Sequence, residues 1–191
     1  MFDIKSLYVQ NVPVRSESSS GNQYAHQYNK ALNIFKSTLF KGAILRLLRR
    51  VLNRPQQLYD LNALKRDLLL HGCSYAGIQA VPIRSIIGSE GRTADFDMGF
   101  HPLSEMERER WVNVAMAYLT GQPLAPVQLI QVGDAYFVRD GHHRISVSRA
   151  FGQVVVDAEV ITWKASAPFP WQANVSKKRP VFAKPVTYPL D

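Results

Sequence analysis

"YFVRDGHHRISVSRAFG", residues 136–152, sets an aspartate, a glycine, two histidines and an arginine between a strand-like run and a helix-like run. A strand that turns sharply through Asp140-Gly141 into a helix presents the free amides of the first helical turn. Those amides and the positive end of the helix dipole make an anion site without help from side chains. Gly141 lets the backbone approach a ligand closely, and Arg144 can add a planar, two-pronged contact to a phosphate. The plainer alternative makes Asp140 the helix cap, with His142, His143 and Arg144 as polar surface residues of the first turn. Asp140 counts against a bare anion site, because its carboxylate competes for the same amides. Adjacent histidines point about 100° apart on a helix, so His142 and His143 do not form a metal pair.

Upstream of the motif the apolar period is two. "PVQLIQV" alternates from Val127 to Val132, Gly133-Asp134 reads as a two-residue hairpin loop with glycine first (type II′), and "AYFV" returns. Downstream, a helix is expected from about His142 to Phe151, stopped by Gly152, and a last strand over Val154–Trp163. Earlier in the chain, Ile78–Ile87 reads as extended and Gly88–Pro102 as loop. Ser104 and Glu107 fit a capping box that starts a helix ending near Thr120 and burying Trp111, Val114, Ala115 and Tyr118. A short helix fits Leu61–Leu70. From Ala25 to Leu52 the residues Leu32, Phe35, Leu39, Ala43, Leu47 and Val51 recur every three or four positions and form one apolar stripe. Gly42 weakens the middle of this segment enough to allow two shorter helices.

These elements predict an α+β fold, a small mixed sheet with flanking helices preceded by an N-terminal helical segment. The expected organisation is a flexible arm over 1–24 with at most one short strand near Ile4–Val9, and a basic helical segment packed on the core over 25–75. The α+β domain follows over 76–165, and then a proline-rich basic arm over 166–191. Hydrophobic residues make up 46% and charged residues 20%, enough to bury a core. The single cysteine, Cys73, excludes an internal disulfide framework, and it lies far in sequence from the histidines. No apolar run approaches the ~20 residues needed to span a bilayer. The N-terminus lacks the layout of a secretory signal, so a cytoplasmic location is expected.

The net charge of +8 is unevenly spread. Residues 18–59 hold seven bases (Lys30, Lys36, Lys41, Arg46, Arg49, Arg50 and Arg54) and no acid, whereas residues 60–163 are mildly acidic. A basic flank meets nucleic acid, an acidic membrane surface or an acidic partner, when it is more than a solvated face. Lys36, Lys41, Arg46 and Arg50, spread along one helix, are the candidate contacts to the phosphates of DNA or RNA. Packing on the domain is the commonest use of such an apolar stripe, and a membrane surface is the third reading.

The stretch Pro126–Trp163, with the strand pair, the Gly-x-x-Arg turn Gly141–Arg144, the helix and the closing strand, resembles the core of the ParB/sulfiredoxin superfamily. "AVPIRSIIGSEGR", Ala80–Arg92, is similar to the strand and arginine-bearing loop that begin that domain. The resemblance implies a nucleotide or phosphate ligand (CTP, ATP or ADP, with magnesium) held by Asp140, Gly141, His142, His143 and Arg144, with Arg92 approaching from the opposite loop. It implies Glu90 as general base or magnesium ligand, by position, as in serine kinases of that fold. Asp95 and Asp97 are alternative magnesium ligands through oxygen. The sulfiredoxin cysteine position holds His142, so sulfiredoxin chemistry is not expected. No helix-turn-helix pattern follows the motif, so the ParB-like expectation is DNA association without sequence reading. Two alternatives stand beside it: a magnesium-dependent small-molecule phosphotransferase or nucleotide hydrolase, and an interaction module with a vestigial pocket. A homodimer is compatible with any of the three.

Overall fold

The alternation of apolar and polar residues from Val127 onward decides which side chains face each side of a sheet, and every other element is arranged around that sheet. The computed structural model describes residues 17–167 and 169; the expected strand near Ile4–Val9 and most of both arms lie outside the described residues. In chain order the elements are α1 (Glu17–Val51), β1 (Tyr59–Asp60), α2 (Leu61–Asp67), β2 (Leu70–Pro82), β3 (Ile86–Ser89), α3 (Arg108–Leu119), β4 (Val127–Val132), β5 (Ala135–Asp140), α4 (His142–Ala150) and β6 (Val155–Ala165). Among the described residues six strands form one mixed sheet in the order β1-β3-β5-β4-β6-β2. Pairing is antiparallel for β4/β5 and β2/β6 and parallel for β1/β3, β3/β5 and β4/β6. This is the expected α+β class.

The hairpin forms as its turn chemistry requires. Val132 pairs with Ala135 across two loop residues, and Gly133 has φ 63° while Asp134 stays at negative φ, the pattern of a type II′ turn. Period two then sorts the core. Val127, Leu129 and Val138 face one side of the sheet and meet Ile145 of α4 together with Phe96 and Phe100. Ile130, Val132, Ala135 and Phe137 face the other side and meet Leu61 and Leu68 around α2. On the far side of α4 lies a third cluster, in which Val147 packs against Trp111, Val112 and Ala115 of α3 and against Ala31 and Phe35 of α1. The Phe35 and Trp111 ring centres are 5.5 Å apart, and Trp111 donates through Nε1 to Ser146 Oγ at 2.9 Å. Helix α4 is therefore enclosed between the sheet and an α1/α3 layer.

Several expectations need correction. The N-terminal helix is a single 35-residue element that begins at Glu17, so part of the segment expected as an arm is helical. Gly42 does not break it; a Cβ there would sit 2.5 Å from His101 Cβ, so the glycine allows α1 to lie directly against the Gly99–His101 loop. The apolar stripe read from 32 to 51 is buried only in its first half. The face that docks runs through Ala31, Phe35, Thr38 and Gly42, whereas Leu47 and Val51 are exposed. Helix α2 stops at Asp67, and residues from Leu70 enter β2, a strand that extends well before the expected start at Ile78. Gly72 and Ala76 have no register partner on β6, so β2 carries two bulges, and Gly72 and Gly77 adopt φ of 51° and 82°.

The two halves of α1 should respond differently to truncation. Phe35→Ala empties a fully buried ring site and is expected to cost about 3–5 kcal/mol. Leu47→Ala, at an exposed position, should stay within about 0.5 kcal/mol of the parent. Urea midpoints of the two variants check this; equal losses would mean that the second half of α1 is also packed.

Candidate functional site

The turn from β5 into α4 is built around Gly141. Its φ of 100° and ψ of 22° lie in the left-handed region, and a Cβ would come 2.5 Å from Val127 Cγ1 on the neighbouring strand. Glycine is demanded twice here, by backbone conformation and by space. Gly141 is also the N-cap of α4, and no side chain caps that helix. The carboxylate of Asp140, expected to compete for the first-turn amides, instead accepts from Arg144 Nη2. Arg144 is engaged further: its Nη1 donates to the carbonyls of Ala125 at 2.6 Å and Pro126 at 2.7 Å. It thus fastens the segment that leads into β4 to the first turn of α4. It does not project freely, as the sequence reading had it.

The two histidines turn into the protein. His142 is 5% exposed; a hydrogen bond of 2.7 Å joins its Nε2 to Ser89 Oγ, and its ring stacks on Phe96 at 6.0 Å. His143 Nε2 lies 2.7 Å from Glu107 Oε2, and its ring meets the same Phe96 edge-on at 5.3 Å. Burial pushes His142 down to about 4, helped by the positive charges of Arg92 and His143. Burial also lowers His143, although the Glu107 carboxylate opposes the shift. Ser89, fully buried at the end of β3, accepts from the amides of Gly91 at 3.1 Å and Arg92 at 3.0 Å. One hydroxyl thereby shapes the Arg92 loop and touches the motif.

Around this turn lies a cavity of about 420 Å³ lined by Arg92, Arg110, Asn113, Asp140, Gly141 and Arg144, with both histidines in its wall. Arg92 is held over it by Asp95 at 3.3 Å and Glu107 at 3.9 Å. A larger cleft of about 690 Å³ runs between α1, the Gly99–His101 loop and α4, with Lys30, Lys41 and Arg149 in its lining. It meets the C-terminal half of α4, where the helix dipole disfavours an anion, so the smaller cavity is the better anion site.

The acids expected to serve catalysis are not brought together. Glu90 lies outside the lining of the cavity, bonded to Lys65 Nζ at 2.9 Å and Arg139 Nε at 2.9 Å. Partial burial would raise it, but these two cations hold its carboxyl below the ordinary range, which is the wrong direction for a general base. Asp95 pairs with Arg92. Asp97 is buried and binds Arg46 at 3.2 Å, His101 Nδ1 at 3.0 Å and the amides of Gly99 and His101. Burial acts to raise Asp97, yet its hydrogen bonds keep it low. The three carboxylates occupy three separate ion-pair networks, and no group of three metal-ligating side chains occurs among the described residues. They do not fit a magnesium site. Cys73 is exposed on β2 and takes no part in the cavity.

Of the basic candidates on α1, Lys36, Lys41 and Arg50 are exposed, whereas Arg46 is committed to Asp97. Glu107 was read as half of a capping box, but Ser104 Oγ accepts from Met106 N at 3.3 Å, and the Glu107 carboxylate reaches His143. Ser89, Phe96, Arg110 and the Ala125–Pro126 carbonyls were missed by the sequence reading. Only Ser89 had a local signal, as a serine able to accept from amides two and three residues on.

No family model and no curated protein matches the chain. Among solved structures, the crystal structure of sulfiredoxin from Arabidopsis thaliana is similar to it over 53% of this chain and 98% of that chain, at 14% sequence identity and a TM-score of 0.34.

The buried histidines set a pH dependence. The unfolded chain protonates His142 near 6.5, but the fold keeps it neutral down to about 4. A depressed histidine therefore stabilises the fold fully above 6.5 and loses that contribution as pH falls from 6.5 towards 4, with about 3 kcal/mol at stake. His143 is shifted the same way, so its contribution too is lost as the pH falls below 6.5. Glu90 and Asp97, held low, add their losses below about 4.5 and 3.8. Urea midpoints should fall in the parent as the pH is lowered from about 7 to about 4, and fall less in His142→Gln, whose amide can still meet Ser89. An identical slope in the variant would remove His142 from the account.

Proposed function

We propose that the cavity at the N-terminus of α4 binds a phosphorylated small molecule, with a nucleoside phosphate such as CTP, ATP or ADP as the class to test. The observation that carries this reading is the uncapped first turn of α4 opening beside Arg92 and Arg110. Free amides and cations converging on one small volume stabilise a negative charge. At about 420 Å³ the cavity falls within the size range of small-molecule sites. Asp140, the one acid in the lining among the described residues, is paired with Arg144, which reduces its opposition to an anion. The neutral histidines add polarity without charge at pH 7. The arrangement supports binding; Glu90, fixed between Lys65 and Arg139 outside the lining, is not placed to act as a base on a ligand held there.

Calorimetry with CTP, ATP, ADP and inorganic pyrophosphate, each with and without magnesium, tests the reading. Arg92→Ala and Arg110→Ala should each remove a charge-assisted contact and weaken binding about tenfold or more. Arg144→Ala is the less clean variant, because it also releases the Ala125 and Pro126 carbonyls and should lower the urea midpoint. If the parent binds none of these compounds, or if both single variants bind as the parent does, the site is not a phosphate site.

A further inference from the structure

The second half of α1 presents apolar side chains to solvent on the side opposite its docked face. At about 100° per residue, Phe40, Ile44, Leu47 and Val51 fall within one narrow sector, roughly opposite Phe35 and Gly42. Their exposures are 67% for Phe40, 45% for Ile44, 64% for Leu47 and 78% for Val51. Soluble chains rarely leave such a contiguous stripe in water. Lys36, Lys41 and Arg50 flank it, and no acid occurs between residues 18 and 59. Beside it opens a cleft of about 390 Å³ lined by Leu45, Leu48, Leu52 and Met98 with Arg49 and Arg54.

We infer that this face of α1 docks on an anionic lipid surface, lying in the plane of the membrane with its apolar residues in the headgroup–acyl boundary. Among the described residues no helix is long and apolar enough to cross a bilayer, so the helix lies on it. Charge complementarity selects this occupant. A second copy would bring cations against cations, with no acid on either helix after Glu17 at its first position. A nucleic acid would satisfy Lys36, Lys41 and Arg50 but leave Phe40, Leu47 and Val51 against phosphates or water. Anionic headgroups over acyl chains satisfy both chemistries at once.

The full chain should sediment with vesicles of equimolar phosphatidylcholine and phosphatidylglycerol, not with pure phosphatidylcholine, and salt should weaken the binding. The double variant Leu47→Glu/Val51→Glu should lose about tenfold or more in affinity while keeping the parent's urea midpoint, since both side chains are exposed. Lys36→Glu/Arg50→Glu should also lose binding. Absence of sedimentation with anionic vesicles at low salt overturns the inference, and so does equal binding to neutral vesicles. Sedimentation that Leu47→Glu/Val51→Glu leaves intact overturns it too, because charge alone would then be acting, as it does on DNA. A parent dimer that this variant dissolves would assign the face to a second copy.

Discussion

The close approach of Gly141 to Val127 fixes the geometry on which the candidate site depends. With a side chain at 141, the chain could neither adopt φ of 100° cheaply nor pass β4 within contact distance. Helix α4 would then enter at another angle, and its two faces could not serve both the sheet and the α1/α3 layer. Ile145 meets the sheet core while Val147 meets Trp111 and Phe35, so a rotation of α4 would disturb both clusters together. Arg144 reinforces the same junction by holding the chain just before β4 to the first turn of α4.

Around that junction, three distant segments are tied to one turn of helix. Ser89 at the end of β3 reaches His142, Glu107 ahead of α3 reaches His143, and Phe96 lies against both rings. The imidazoles therefore act as internal struts. The Nε2 atom of each ring is taken by a protein partner, and the charge at the cavity is left to the arginines. The two Nε2 atoms are held by different segments, Ser89 of β3 and Glu107 ahead of α3. The basic chemistry of the cavity comes from Arg92 and Arg110, which belong to other elements.

What the sequence made legible was what local physics decides. The β4–β5 hairpin, the turn at Gly141 and the stop at Gly152 each follow from backbone preferences of one or two residues. What it did not make legible depends on competition between distant groups. Glu107 had the spacing of a capping box, yet an imidazole 36 residues away took its carboxylate. Glu90 stood where a base was expected, but Lys65 and Arg139 fold against it. The periodicity of α1 showed that an apolar stripe exists and could not show that α1 has two: one through Phe35 that is covered and one through Leu47 that is not. Strand β2 was missed before Ile78 because its bulges interrupt the alternation on which strand recognition relies.

Those bulges also bear on the solubility of the chain. Among the described residues β2 ends the sheet, so along its 13 residues one row of backbone donors and acceptors faces away from β6. A straight strand of that length, with Tyr75 and Ile78 exposed, would be a template on which another chain could add a strand. Gly72 and Ala76 each break the register against β6, and the left-handed conformations of Gly72 and Gly77 bend the strand beside each break. No long straight row is then offered to an incoming chain. The same irregularity that hid β2 from the sequence pattern is a device against uncontrolled edge-to-edge polymerisation.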